Sequence, residues 1–190
     1  MQAGYKPAVV ELHLSSLYFA KTYGIKDLYQ FVLLSSPFLK EFDTVGMFDV
    51  LEHLEDDALA LNKVAEMLKP KGRIALTVPA HNLLWNRGDK IAGHKRRYSK
   101  KSLVLLVESV GFNVLEARYF FIFILPLLWL RTVIYKNTNN PVSDEEYNTQ
   151  IRMNPAINWI LLKLCWIECM LGRFIPNIAG GNLILISEKK

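Results

Sequence analysis

Two short apolar runs, residues 43–48 and 73–79, bracket a stretch in which Leu61, Val64, Ala65 and Leu68 recur at i, i+3, i+4 and i+7. That spacing predicts a strand, an amphipathic helix and a second strand, because period 3.6 gathers the four residues on one helix face. The sequence LKPKG, with a proline and a glycine, then stops the helix. Chains built on this unit bury a sheet between helices, and their ligands bind beyond the carboxyl ends of the strands.

The alternation extends in both directions. Residues 7–14 hold the run AVVELHL, a strand candidate, and the mixed segment SSLYFAKTYGIKDLYQF follows as a helix. Ser99 is a good N-cap for the helix SKKSLVLLVESVGF, which closes on Gly111 before the strand-like FNVLEARYFF. The expected fold is α/β, a mostly parallel, Rossmann-like doubly wound sheet covered on both faces. The terminal GGNLILISEKK reads as a last strand at the edge of that sheet. Domain boundaries follow as an α/β core over 1–118, an apolar helical insertion over 119–178, and the final strand over 179–190.

The insertion is the unusual part. FFIFILPLLWL is nearly unbroken apolar, a polar linker KNTNNPVSDEEYNTQ follows, and AINWILLKLCWIECMLGRFI is apolar nearly all round. The first run is a dozen or so residues long and holds Pro126, short of the roughly 20 needed to span a bilayer. In the second, Asn158, Lys163, Glu168 and Arg173 scatter around the helix at roughly 100° per residue. Two readings stay open: a hairpin packed on the domain, or a cover dipping into a membrane interface beside a lipid-like substrate.

Composition closes off other classes. With 51% hydrophobic and 22% charged residues among 190, the chain is neither disordered nor low-complexity. The net charge of +5 is concentrated around residues 94–101 instead of forming a stripe, so nucleic acid is not the expected partner. Cys165 and Cys169 stand in an apolar helical stretch without the partners of a disulfide framework or a zinc site, and no metal-ligand set is read elsewhere. The opening MQAGYKPAVV carries no secretory apolar run, so the expected location is the cytoplasm, with peripheral contact at the inner face of a membrane.

Three stretches, FDTVGMFDVLEHLEDD, EMLKPKGRIALTVPAH and GHKRRYSKKSLVLLVESVGF, together resemble the class I S-adenosylmethionine-dependent methyltransferases. The resemblance lies with the branch that has D-V-L-E-H after the fourth strand and H-x-R-R-Y-[ST] after the fifth. It implies S-adenosylmethionine as cofactor and methyl transfer to an oxygen, nitrogen or carbon acceptor. Glu11 and Leu12 match the acidic tip of the second strand, which binds the cofactor ribose. Phe48 and Asp49 match positions beside the methionine portion, and His53 matches the histidine facing the transferred methyl. His53 is the expected catalytic base, since an imidazole accepts a hydroxyl proton near neutral pH. Glu52 and residues 55–57 read as charges complementing a helix dipole.

His94, Arg96, Arg97 and Tyr98, with Gly93, match the second motif and are expected to bind substrate, the two guanidinium groups gripping an anionic head. His81, after the strand end at Pro79, is a further substrate contact. Two departures accompany these matches. The family's glycine-rich loop belongs before Pro7, where only MQAGYK stands, and Phe31 and Val32 occupy the place of an acidic residue near the adenine. A sheet without the first strand leaves two edges unpaired or brings the second strand against the fourth. The expected partners are a small-molecule or lipid-like acceptor and a complementing N-terminal fragment. The alternative function is a non-catalytic, truncated remnant that serves as a membrane-associated or partner-binding scaffold.

Overall fold

The computed structural model describes residues 4–134, 154–172 and 174–190. The predicted polar linker 136–150 and Arg173 lie outside the described residues. The central sheet has four strands: β3 (Phe42–Phe48), β4 (Leu68–Pro79), β5 (Phe112–Phe120) and β6 (Asn182–Lys189). Their order is β3-β4-β6-β5. β3 and β4 run parallel, and β6 runs antiparallel to both β4 and β5. The expected edge strand β6 therefore lies inside the sheet, where Leu183 and Leu185 are fully buried. Its pairings bring Pro79, Phe120 and Asn182 to one end of the sheet, beside the end of β3 at Phe48.

A separate parallel pair, β1 (Ala8–Val10) and β2 (Asp27–Tyr29), is joined by α1 (Leu14–Thr22). β2 lies within the segment read as helix, because Gly24 takes φ +81°, a left-handed turn that glycine adopts freely, and ends α1 early. Among the described residues β1 pairs only with β2, and β3 only with β4. Among the described residues β1 and β2 are thus not brought against β3.

α2 (Asp57–Met67) and α4 (Lys100–Ser109) cover one face of the sheet. Asp56 caps α2 by accepting from the Leu59 N–H at 2.8 Å, and the periodic Leu61 and Val64 become fully buried. Ser99 and Ser102 form the reciprocal cap of α4, each hydroxyl accepting the other's N–H at 3.0 Å. Fully buried side chains of α2, α4, β4, β5 and β6 make one core.

α5 (Leu125–Ile134) and α6 (Pro155–Leu171) stand at the end of the sheet where β3, β4 and β5 finish. Gly180 and Gly181 let the chain pass there, since a Cβ on either would collide with Phe120 O or the Leu128 side chain. Glu168, buried on α6, ties that helix to the strand end by accepting from the N–H groups of Ile122 (2.7 Å) and Phe123 (3.1 Å). Most of the apolar surface of both helices stays uncovered, including Trp129, Trp159, Trp166 and Met170. No helix among the described residues is long and apolar enough to cross a membrane.

Candidate functional site

The site is assembled by the turn after β3, the turn after β4, and the loop that closes over both. Asp49 leaves β3 with φ +53°, a left-handed backbone uncommon for any residue but glycine. Its N–H is shared between the carbonyl and hydroxyl oxygens of Thr77, both at 3.0 Å. Its carboxylate accepts from the Thr77 hydroxyl at 3.2 Å and the Asn182 amide at 3.3 Å. Three strands thus hold one acidic residue at the sheet's end, and Phe48 beside it is exposed, its ring folded back over Gly46.

A single 3₁₀ turn, Leu51–His53, then divides its side chains sharply. Leu51 and Glu52 are fully buried, whereas His53 is exposed. Burial pushes the Glu52 carboxyl up to about 7, with Asp49 adding and His94 and Arg97 opposing. Among the described residues no other group hydrogen-bonds either Glu52 oxygen, and only its own backbone N–H and the more distant cations hold the shift down. The His53 pKa is lowered from its ordinary 6.5, first by loss of solvent and then by the neighbouring His94. The two imidazoles meet edge to face, 4.8 Å between centroids.

The covering loop is braced from within. Asn86 and Asp89 form the reciprocal cap of α3 (Arg87–Ile91). Asp89, buried, accepts from Arg97 Nε (2.8 Å), Arg97 Nη2 (3.1 Å) and the Asn86 N–H (2.9 Å), and pairs with His94 Nδ1 at 2.9 Å. Burial alone would raise its pKa, and the bonds from His94, Arg97 and Asn86 outweigh burial to leave it below 3.8. Arg97 also donates to Ala80 O at 3.0 Å. Arg96 donates to Asp57 (2.9 Å) and to the carbonyls of Leu54 (3.1 Å) and Glu55 (2.6 Å). Tyr98, nearly buried, donates its hydroxyl to Asp57 at 2.9 Å, and burial and that carboxylate both drive its pKa upward.

These bonds correct the expectation for three residues. Arg96, Arg97 and Tyr98 fasten the loop to the turn after β3, and their polar groups are engaged with acids and carbonyls of this chain instead of facing outward for an anionic head. The pairing acids, Asp57 and Asp89, were not singled out as partners by sequence reasoning. His81 lies at the β4 end with φ +57° and stacks on Tyr119, 4.9 Å between ring centroids; its pKa is lowered by burial and by Arg97. His53, His81 and His94 therefore share the end of the sheet. Glu11 and Leu12 stand apart, on the two-stranded unit, where the Glu11 carboxylate accepts from the N–H groups of Leu12 (2.7 Å) and His13 (3.3 Å). Phe31 packs among Tyr29 and Phe38, while Val32 is exposed.

Against known proteins, the sequence profile described as a methyltransferase domain matches residues 12–117, more than half of the chain. No curated protein matches the sequence. A Bacillus halodurans putative methyltransferase superposes with a TM-score of 0.57 at 18% identity, over 95% of this chain and 81% of that one. A Thermotoga maritima S-adenosylmethionine-dependent methyltransferase, described as a possible histamine N-methyltransferase, gives 0.57 at 14% identity, over 95% and 72%. Haemonchus contortus phosphoethanolamine N-methyltransferase 2, solved with S-adenosylmethionine, gives 0.56 at 14% identity over 99% of this chain, which spans only 44% of that one. At such identities the superpositions establish a shared Rossmann-like fold, and the profile match establishes the family. The chain belongs to the methyltransferase-domain family, whose cofactor is S-adenosylmethionine.

Proposed function

We propose that this methyltransferase acts on a hydrophobic, lipid-linked acceptor, presented to the end of the sheet beneath α5 and α6, with His53 as the base. The observation that carries the reading is the exposed imidazole of His53 at the strand end on which the apolar helices are mounted, its pKa lowered by loss of solvent. Methyl transfer is an in-line displacement at a sulfonium carbon, so the protein's work is alignment, plus removal of a proton where the acceptor bears one. A neutral imidazole with lowered pKa is in the accepting form at neutral pH. The uncovered tryptophans and aliphatics of α5 and α6 suit an acceptor with a long apolar tail and support peripheral contact with a membrane surface. In this reading α5 and α6 form a substrate cover appended to the core, whose strand β5 runs on through Tyr119 and Phe120.

The residues present fit part of a cofactor site. Glu11 and Leu12 supply the acidic strand tip for ribose hydroxyls, and Phe48 and Asp49 supply an exposed ring and a carboxylate for the methionine portion. Bound there, S-adenosylmethionine supplies an electrophilic methyl. Phe31 and Val32 offer the adenine no side-chain acceptor. The unpaired edges of β1 and β3 favour completion of the site by a strand inserted between them, the complementing fragment expected from the sequence.

The test is calorimetric titration with S-adenosylmethionine, then transfer assays on phenol acceptors of increasing alkyl length. Glu11→Ala and Asp49→Ala are expected to weaken cofactor binding at least tenfold. His53→Ala is expected to leave binding intact and slow transfer by about 10²–10⁴-fold, the usual contribution of a general base. A rate indifferent to alkyl length overturns the acceptor class, and an unchanged rate in His53→Ala overturns the base. Failure of the folded chain to bind cofactor overturns autonomous catalysis and leaves the scaffold reading.

A further inference from the structure

Glu52 poses the sharpest chemical question in the molecule. Its side chain is fully buried, and among the described residues no other group hydrogen-bonds either carboxylate oxygen. A buried carboxylate in that condition costs free energy unless a proton or cation meets it. The nearest candidate is His94, whose Nε2 lies 3.9 Å from Glu52 Oε1, beyond hydrogen-bond range. The other nitrogen of that ring, Nδ1, is engaged by the Asp89 carboxylate at 2.9 Å. A carboxylate at Nδ1 favours the tautomer with the proton there, in which the Nε2 lone pair faces Glu52. With Glu52 ionised and that tautomer of His94, two electron-pair donors face each other across a gap that a cation would fill.

His53 adds a third. One nitrogen of its ring, one of His94 and one oxygen of Glu52 all lie within 4.8 Å of one another. We infer that Glu52, His53 and His94 form a binding site for a single divalent transition-metal ion of the zinc type. The donor set of one carboxylate and two imidazoles is that of open, three-ligand zinc and iron sites, and it disfavours magnesium or calcium, which take oxygen donors. A tetrahedral ion with bonds of about 2.1 Å holds its donors about 3.4 Å apart, so on binding the His94–Glu52 pair at 3.9 Å closes by about 0.5 Å and donors as far as 4.8 Å apart by up to about 1.4 Å, which the exposed His53 side chain accommodates. Asp89, held in turn by Arg97, is the outer carboxylate that orients the His94 ring. Because His53 is exposed, the fourth position opens to solvent and to an acceptor's heteroatom.

The inference is independent of methyl transfer, since loading is measured without cofactor or acceptor. A ligated His53 has no lone pair left for a proton, so base and ligand are alternative states of the residue. The experiment is titration of the chelator-treated, refolding-competent chain with Zn²⁺ by calorimetry, and with Co²⁺ by visible absorption, alongside thermal melting. One saturable site, intense visible bands typical of a four-coordinate cobalt ion, and a melting temperature that rises with Zn²⁺ are expected. His53→Ala, at an exposed position that folding tolerates, and His94→Ala are each expected to weaken binding at least tenfold, with His13→Ala unchanged. Glu52→Gln is expected to do the same while melting cooperatively. Absence of saturable Zn²⁺ binding, binding indifferent to His53→Ala and His94→Ala, or preference for Mg²⁺ over Zn²⁺ would each overturn the inference.

Discussion

Asp89→Asn probes what holds the loop over the site. The Asp89 side chain is 1% exposed and that of Arg97 13%, so the pair is buried, with two parallel N–H···O bonds. Removing one member of such a pair leaves an uncompensated charge, at a cost of about 3–5 kcal/mol. Asparagine keeps one oxygen that accepts from Arg97 or from the Asn86 N–H but not from all three donors, which places the expectation at the lower end, about 3 kcal/mol. In a chain of this length, that lowers the melting temperature by on the order of 10 °C. α3 has five residues and no independent stability, so its cap fails with the pair. Urea denaturation supplies the free energy, and the pH dependence supplies the sign. The folded pKa of Asp89 lies below its ordinary 3.8, so its contribution is fully present above 3.8 and is lost as pH falls through the folded value. The gap between wild type and Asp89→Asn is therefore constant near neutrality and narrows only below about pH 4. A double variant, Asp89→Leu with Arg97→Met, should recover part of the loss, because apolar replacement of both members removes the stranded charge. A single-variant cost under about 1 kcal/mol, with the double variant additive, would refute the reasoning.

Leu185→Ala, at a fully buried position of the interior strand β6, is expected to cost about 3 kcal/mol in chemical denaturation, where an edge strand would lose far less. Glu168→Ala removes the acceptor for the N–H groups of Ile122 and Phe123. Hydrogen exchange at those two amides should accelerate at least tenfold, with amides of β6 unchanged, since the tie is local to the mount of α6. Imidazole titration by nuclear magnetic resonance should place the His53 midpoint below 6.5, and His94→Ala should move it part of the way back. Because that folded pKa is depressed, the associated stability is present above 6.5 and is lost as pH falls through the folded value.

Periodicity and caps made the middle of the chain legible. The Leu61/Val64 stripe locates α2, and Ser99 as N-cap with the glycine at 111 delimit α4, because each acts within one or two turns of backbone. Leu68 and the expected stop LKPKG lie instead in β4, since the backbone turns extended at Leu68 and pairs with β3. β2 escaped because three residues, Asp-Leu-Tyr, carry no measurable alternation, and only the φ of Gly24 separates them from α1. The interior place of β6 was not legible at all: its alternation is that of any half-buried strand, and strand order is decided by which partner leaves no buried polar backbone.

The candidate site shows the same division between local and distant causes. The stretch of residues 93–98 announced a functional loop through its cations, yet the direction of a guanidinium depends on where its acids lie. Asp57 and Asp89 reach Arg96 and Arg97 only because Ala80 bridges to Tyr98, folding the loop back over the turn after β3. The same closure buries Glu52, which by spacing alone reads as an exposed charge at a helix start, and brings His94 against His53. Asp49 at the end of β3 and His81 at the end of β4 both take left-handed backbone, and Glu52 lies buried with no hydrogen-bond partner among the described residues. Left-handed backbone occurs also at Lys40, Lys71 and Phe121, so the feature particular to the site is the buried Glu52 carboxyl, whose cost to folding marks where sequence has been shaped by chemistry.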